Sequence, residues 1–538
     1  MSIEIPIQRL LSFFIVLFLV ITGVMVYWQV GQAQSLSTSP YKPCIGSEQP
    51  VRGTIYDRNG VKLAWSVPDP QSPCGWRREY ATAQHPSISS FLGYSSYIYG
   101  STGVEQYYNN VLMGYSSPQT ASFDSSYNQF MNNILHQRVY GSDIYLSIDI
   151  NIQDYIDKNF NSEAVGGTVC LPGPVGSIVV EDPRTGQILA MVSHPDYDAN
   201  IIGDTTPAQN DPTKTVGAEY WQKISTDPTA PLINRALAGA YVPGSTFKTL
   251  TLIAALDSGK LTQDFTFNQD EASAYVINGF HINSNHLSDY AQGPEPPSFP
   301  MDLAHAYAYS DNVAFARVGV QVGEQTWLDY AKRFYMSTPG NIQSPPVDTD
   351  PPPRSYVYTN GQFGDVELAT SAYGQGQLLL SPLTMTMIDG AVADDGLLAT
   401  PHFLLKAVPH GTDPATTPNA DFGQPQRVMS SGVATYVRKA MRDVVNFGSI
   451  GASGGVIAAI GNQSPTIGAK TGTGELAADQ SPHAWLISLA PDDISGNSPA
   501  QLAAVVMKEH GGEGACKAPI AGKIFSYAIP IVSKYPGG

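Results

Sequence analysis

Basic residues are scarce in this chain: 29 Lys and Arg stand against 46 Asp and Glu in 538 residues, a formal charge of −17. General binding to nucleic acid or anionic lipid needs clustered positive charge, so no nucleic-acid partner is expected. Cysteine is scarcer still, with 4 residues, Cys44, Cys74, Cys170 and Cys516, and none lies in a CxxC or a His/Cys cluster. This argues against a thiolate metal centre, while an even number of separated cysteines suits an oxidising compartment. No internal repeat is evident. Charge is absent altogether from Leu10 to Trp28, and no Lys or Arg occurs between Arg9 and Lys42.

That last gap sets the expected topology. The run from Leu10 to Trp28 is strongly apolar and about long enough to cross a bilayer as one helix. Arg9 and the terminal amine precede it, so the positive-inside bias leaves residues 1–9 cytoplasmic and the bulk outside. Tyr27 and Trp28 suit the outer interface as aromatic anchors. A cleaved signal peptide is the competing reading, with Gly31-Gln32-Ala33 as small residues at a cleavage site. The run exceeds the roughly 7–15 residues of a signal core, which favours a retained anchor in the cytoplasmic membrane.

What is present belongs to a folded, turn-rich protein: 42% apolar residues, 6 Trp, 29 Tyr and 19 Phe, with 41 Pro and 50 Gly. Residues 29–43 read as a polar linker. Asn59-Gly60 between Val51–Asp57 and Val61–Trp65 predicts a hairpin, because both turn residues tolerate positive φ. Cys44 and Cys74 flank that hairpin, whose outer ends come together, so of the three pairings open to four cysteines 44–74 is favoured. The Tyr-, Ser- and Asn-rich stretch from Ser87 to Tyr140 reads as an irregular accessory region.

A second hairpin is expected at Ser177–Glu181 and Gln187–Val192. Helices follow at Ser245–Ser258, Asp302–Tyr309 and Val313–Val322, then strands at Thr466–Thr473, Ala484–Leu489 and Gln501–Met507. Ala518 to Val532 reads as a closing helix despite Pro530. The expected division is an accessory domain over residues 44–165 and a second domain over 166–538, its sheet assembled from distant segments.

Three short motifs in the second domain carry chemistry. Ser245-Thr246-Phe247-Lys248 puts a hydroxyl at a helix N-terminus and a lysine one turn along the same face. A desolvated lysine there can take the serine proton. A four-residue pattern fixed at two positions recurs by chance, and Ser39-x-x-Lys42 fits too, although it lies in the linker and contains a proline. Ser310-Asp311-Asn312, between two helices, reads alone as a capped helix–helix turn. Lys470-Thr471-Gly472-Thr473 reads alone as a twisted strand with an exposed lysine, but its charge and hydroxyls suit a carboxylate.

Together, in the order SxxK, SDN, KTG, they are highly specific for penicillin-binding proteins and class A β-lactamases. The chain resembles the class B penicillin-binding proteins over nearly its whole length, and is most similar to the actinobacterial PbpA-type branch of the division transpeptidases. Arg52-Gly53-x-Ile55-x-Asp57-Arg58 and Gly103-Val104-Glu105 resemble elements of that family's accessory, or pedestal, domain. Asn234-Arg235-Ala236, Gly374-Gln375-Gly376 and His483-Ala484-Trp485 also match, and the departures lie mainly between Tyr94 and Tyr127.

The resemblance implies an α+β fold. Its penicillin-binding, serine β-lactamase-like domain has an antiparallel sheet with helices on both faces and an all-helical lobe, behind a β-rich pedestal and a membrane helix. It implies a donor stem peptide ending in D-Ala-D-Ala, attacked by Ser245, with Lys248 as general base and Ser310 relaying protons. Asn312 would hold the donor amide, Lys470, Thr471, Gly472 and Thr473 would form the site for its carboxylate, and the backbone N–H groups of Ser245 and Thr473 would form the oxyanion hole. β-Lactams would mimic the donor, and no cofactor or metal is implied. It implies a membrane glycosyltransferase of the shape/elongation/division/sporulation type as partner. The fold it implies sets the strand at Ser177 antiparallel to the one ending near Met507, which would put Cys516 beside Cys170.

Rival readings remain. A β-lactamase would need a Glu-x-x-Leu-Asn element, which is not seen, and a bifunctional enzyme would need more chain before Gly166 for a glycosyltransferase. A D,D-carboxypeptidase shares the chemistry, and a catalytically idle wall-synthesis scaffold would not keep all three motifs intact.

Overall fold

The structure, a computed structural model, describes residues 4–27, 50–70, 72, 75–115, 140–166, 169–283, 287–453, 466–492 and 500–535. Helix α1 (Glu4–Val26) covers most of the apolar run, and its described side chains are exposed. Among the described residues no helix is long and apolar enough to cross a membrane. Cys44, Cys74 and the linker pair Ser39 and Lys42 lie outside the described residues.

The Asn-Gly turn is where its chemistry requires it. Strands β1 (Ile55–Tyr56) and β2 (Lys62–Pro68) pair antiparallel, with Gly60 at φ 84°. The buried Asp57 carboxylate accepts the N–H groups of Asn59 and Val61, both at 2.8 Å, and fixes the turn from inside. Strand β3 (Trp76–Tyr80) extends the sheet on one side and β4 (Asp143–Leu146) runs parallel to β1 on the other.

Two elements quoted above from distant parts of the sequence meet here. Arg52 Nε and Arg78 Nε each lie 2.6 Å from one carboxylate oxygen of buried Glu105. Burial alone would raise the Glu105 pKa, but the two guanidinium groups outweigh it and hold it below the usual carboxylate range. The accessory region is less irregular than its composition suggests, with short helices at Ser89–Leu92, Gly103–Tyr107 and Asn109–Leu112; residues 116–139 are outside the described set.

The second sheet gathers its strands from both ends of the chain. Strands β5 (Gly176–Asp182) and β6 (Gln187–His194) form the expected hairpin. Strands β8 (Gly468–Gly474), β9 (His483–Ala490) and β10 (Leu502–Lys508) complete an all-antiparallel sheet in the order β8-β9-β10-β5-β6. Every residue of β5, β9 and β10 is buried, which requires cover on both faces. Helix α7 (Pro382–Ala393) packs on β5, β9 and β10, while α2 (Ile150–Lys158) and α9 (Ala518–Val532) pack on β6 and β10. Tyr155 of α2 stacks on Tyr527 of α9 at 3.9 Å.

A helical lobe adjoins β8. Helices α3 (Lys248–Asp257), α4 (Leu303–Ala308), α5 (Asn312–Val322), α6 (Asp365–Ala372) and α8 (Ser431–Asn446) make it up. Nine residues of α3, from Lys248 to Leu256, are buried, so it is enclosed on all sides as a core helix.

Two features differ from the domain division drawn on the sequence. The core of the second half reaches back to Ile152 and Ile156 of α2, ahead of Gly166. Strand β7 (Leu404–Val408), from the second half, pairs with β4 and completes the pedestal sheet as β7-β4-β1-β2-β3. A strand whose partner lies some 260 residues away has no local turn signal, so its pairing is invisible in the sequence. The join is polar: Asp348 accepts the Tyr108 hydroxyl at 2.7 Å and the N–H groups of Phe403 and Leu404 at 2.7 and 2.8 Å.

Candidate active site

The segment that delivers Ser245 is held by close backbone contacts. Tyr241 exchanges two backbone hydrogen bonds with Leu380, and the Trp485 indole N–H donates to Val242 O at 3.0 Å. Gly244 then adopts φ 57° and donates its N–H to Gly374 O at 2.9 Å. A Cβ on Gly244 would stand 2.4 Å from Thr473 O, and one on Gly374 would stand 1.7 Å from Gly244 O. Only glycine fits either position. The expected helix therefore opens with a 3₁₀ turn, Gly244–Phe247, which the Thr246 hydroxyl closes by donating to Pro243 O at 2.8 Å.

One turn on, Lys248 starts α3 with its side chain wholly buried. Its Nζ lies 2.6 Å from Ser245 Oγ, 2.7 Å from Asn312 Oδ1 and 3.4 Å from Ser310 Oγ. Burial lowers its pKa to about 7, against the opposing pull of the Asp311 and Glu475 carboxylates. An amine of that pKa is substantially neutral at neutral pH and can accept a proton from the adjoining hydroxyl.

Ser310-Asp311-Asn312 is indeed a capped break, but Asp311 is the cap. Its Oδ1 accepts the N–H groups of Val313 and Ala314 at 2.8 and 3.2 Å, which starts α5 at Asn312. Ser310 sits at φ 60°, a strained conformation for serine that aims its hydroxyl at the lysines. Burial pushes the Asp311 carboxyl up to about 7 despite its two backbone donors.

Lys470 approaches from the strand. Its Nζ lies 2.9 Å from Ser310 Oγ and 3.0 Å from Thr471 O, and its side chain is buried, contrary to the exposed lysine of a plain edge strand. Burial first, then the neighbouring Lys248 cation, hold it well below the ordinary lysine range. Gly472 allows β8 to pass the nucleophile turn, since a Cβ there would stand 2.7 Å from Pro243 O. Thus Ser245, Lys248, Ser310, Asn312 and Lys470 share one hydrogen-bonded cluster, with Thr471, Gly472 and Thr473 along its wall. Among the described residues no group of His, Cys, Asp or Glu is placed to hold a metal ion.

Residues 176–526 match the family model described as the penicillin binding protein transpeptidase domain. The chain belongs to this family. Residues 52–141 match a second model, the penicillin binding protein A dimerisation domain. The peptidoglycan D,D-transpeptidase PbpA of Mycolicibacterium smegmatis is 31% identical over 366 residues, covering 66% of this chain and 67% of the relative. The peptidoglycan D,D-transpeptidase MrdA of Haemophilus influenzae is 25% identical over 464 residues, 81% of this chain and 64% of that one. Penicillin-binding protein A from M. tuberculosis, solved as its imipenem acyl-enzyme complex, superposes with a TM-score of 0.69 at 25% identity, covering 90% of this chain and 99% of that one.

In this penicillin-binding protein two side chains outside the three motifs touch the KTG strand. Gln375 Nε2 donates to Thr473 O at 3.1 Å, and Ser449 Oγ lies 2.6 Å from Thr471 Oγ1. Gln375 stands in the Gly-Gln-Gly already noted. Ser449 follows α8 with no local pattern to single it out. A disulfide joins Cys170 to Cys516, Cα to Cα 5.5 Å.

Proposed function

We propose that the protein is a peptidoglycan D,D-transpeptidase that cross-links stem peptides through an acyl-enzyme on Ser245. The observation that carries this reading is the 2.6 Å contact between Ser245 Oγ and the buried Lys248 amine, whose pKa of about 7 makes it a base at working pH. Ser245 Oγ attacks the penultimate D-Ala carbonyl carbon as its proton passes to Lys248. The backbone N–H groups of Ser245 and Thr473 receive the developing oxyanion; losing one such donor typically costs about 10²–10³ in rate.

Collapse breaks the C–N bond, and the departing D-Ala amine takes a proton through Ser310, whose hydroxyl reaches both lysines. Asn312 holds the donor amide, and Lys470, Thr471 and Thr473 bind its carboxylate. An acceptor amine then attacks the ester, forms the new amide and returns the proton to Ser245. A β-lactam is opened by the same attack, and its leaving amine stays tethered, so the ester persists.

The wider setting belongs to the same proposal. The uncharged stretch from Leu10 to Trp28 anchors the chain in the cytoplasmic membrane with the enzyme outside, beside a membrane glycosyltransferase that supplies glycan strands. Intact-mass measurement after penicillin treatment tests the core claim: the protein gains one adduct and Ser245→Ala gains none. An adduct on Ser245→Ala at undiminished yield overturns the assignment. Product formation that needs an acceptor amine separates transpeptidation from D,D-carboxypeptidation, in which water suffices.

A further inference from the structure

The loop after α8 touches the KTG strand and the end of α4, two residues ahead of Ser310, at once. Ser449 N–H donates to Ala308 O at 3.1 Å, at the end of the helix that launches Ser310. Gly448 makes the approach possible, since a Cβ there would stand 2.3 Å from that same carbonyl. From the other side the Ser453 hydroxyl donates to Ser449 O at 2.6 Å. With its backbone held at both ends, Ser449 presents its hydroxyl 2.6 Å from Thr471 Oγ1.

Each hydroxyl has one proton and two lone pairs. In the Ser449–Thr471 pair only one of them donates. If Thr471 donates, its proton is spent on Ser449 and it can only accept, which repels an incoming carboxylate. If Ser449 donates, the Thr471 proton is released toward the substrate, and the two hydrogen bonds polarise each other in one direction. Thr471 itself is nearly buried, so water has little room to replace Ser449 as the donor.

We propose that Ser449 is a positioning residue for donor recognition: its hydroxyl donates to Thr471 Oγ1 and so commits the Thr471 proton to the carboxylate of the donor stem peptide or β-lactam. This rests on the transpeptidase reading above, in which Thr471 meets that carboxylate.

The test compares acylation by benzylpenicillin with acylation by its methyl ester, which lacks the carboxylate, in wild type, Ser449→Ala, Ser449→Cys and Ser449→Thr. Removing one hydrogen bond in the chain to a charged group should weaken benzylpenicillin binding about five- to tenfold in Ser449→Ala. The loss should fall on the binding constant, with the ester affected far less. Ser449→Cys, nearly isosteric but a weak donor, should follow Ser449→Ala, and Ser449→Thr should restore binding. Equal losses on acid and ester, or no loss on either, overturn the proposal while leaving the transpeptidase reading intact. Wild type that no penicillin acylates overturns that reading instead. Thermal denaturation of each variant separates a binding loss from misfolding, and Ser449→Cys carries the test if Ser449→Ala does not fold.

Discussion

Lys470 Nζ lies 2.9 Å from Ser310 Oγ, so the late strand and the break between α4 and α5 are joined through one hydroxyl. That hydroxyl also stands 3.4 Å from Lys248 Nζ, which places two buried amines around a single proton carrier. Burial lowers the pKa of both amines, and the Lys248 cation lowers that of Lys470 further. The cluster is thereby set to keep Lys248 available as a base near neutral pH.

The first prediction follows from the Lys248 pKa of about 7. The neutral amine is the active form, so the rate of acylation by penicillin should rise as pH increases toward 7 and level off above it. Lys248→Arg keeps a charge but cannot deprotonate in this range. It should fold and lose acylation by about 10²–10⁴. Stopped-flow acylation across pH checks both; a near wild-type rate for Lys248→Arg rules out Lys248 as the base.

Gly374 is the second target. It combines φ 94° with a Cβ position 1.7 Å from Gly244 O, so alanine there meets backbone and not a movable side chain. Gly374→Ala should cost at least about 2 kcal/mol of stability. It should also slow acylation, because relief of the clash displaces the turn that carries Ser245. Gly259→Ala, also at positive φ but with open space around its Cβ, is the control for strain alone. If both variants lose acylation alike, the close contact has no special role.

Much of this site was legible beforehand, and the reason is local. SxxK, SDN and KTG are contiguous in sequence because each element must hold its side chains in fixed register. The Asn59-Gly60 hairpin and the Ala518–Val532 helix were likewise readable from turn chemistry and apolar content. What was not legible depends on contacts between distant segments. Residues Leu404–Val408 become a strand only against Asp143–Leu146, Lys470 is buried because α8 and the Gly244–Phe247 turn pack on its strand, and Ser449 matters only through its distance to Thr471. The SDN motif was open to a cap by Ser or Asn; the structure gives that task to Asp311, which leaves the other two side chains available to the site.

The third prediction concerns the join between the halves. Asp348 is buried and accepts three hydrogen bonds, from Tyr108, Phe403 and Leu404. Asp348→Ala strands three buried donors and should cost about 2–4 kcal/mol. Because Phe403 and Leu404 lead into the strand that completes the pedestal sheet, hydrogen exchange at residues 404–408 and 143–146 should accelerate more than at β9. Uniform acceleration across both sheets would show that the latch is not local to this join.

The last prediction is the covalent framework. Cys170 and Cys516 are separated by 346 residues in sequence, and their disulfide closes that whole loop. It ties the segment ahead of β5 to the turn Gly514–Lys517, where Ala164 N–H donates to Cys516 O at 2.8 Å and Glu513 N–H to Val169 O at 3.0 Å. That turn is a near neighbour of the active site: a Cβ on Gly514 would stand 2.7 Å from the backbone of Gly472. A long closed loop removes much entropy from the unfolded chain, so the Cys170→Ser/Cys516→Ser double variant should lose about 2–5 kcal/mol. Acylation should also slow as the support behind Gly472 loosens. Non-reducing peptide mapping reads the pairing directly and extends to Cys44 and Cys74, whose proposed bridge lies outside the described residues. A 44–170 or 74–516 cross-link would contradict both bridges, because each of those pairs joins the pedestal to the transpeptidase half. Four free thiols would remove the bridges and leave the Gly514 turn held by the hydrogen bonds around Cys516, by the Lys517 contacts to Glu163 and Leu171 O, and by packing on β8 and β9.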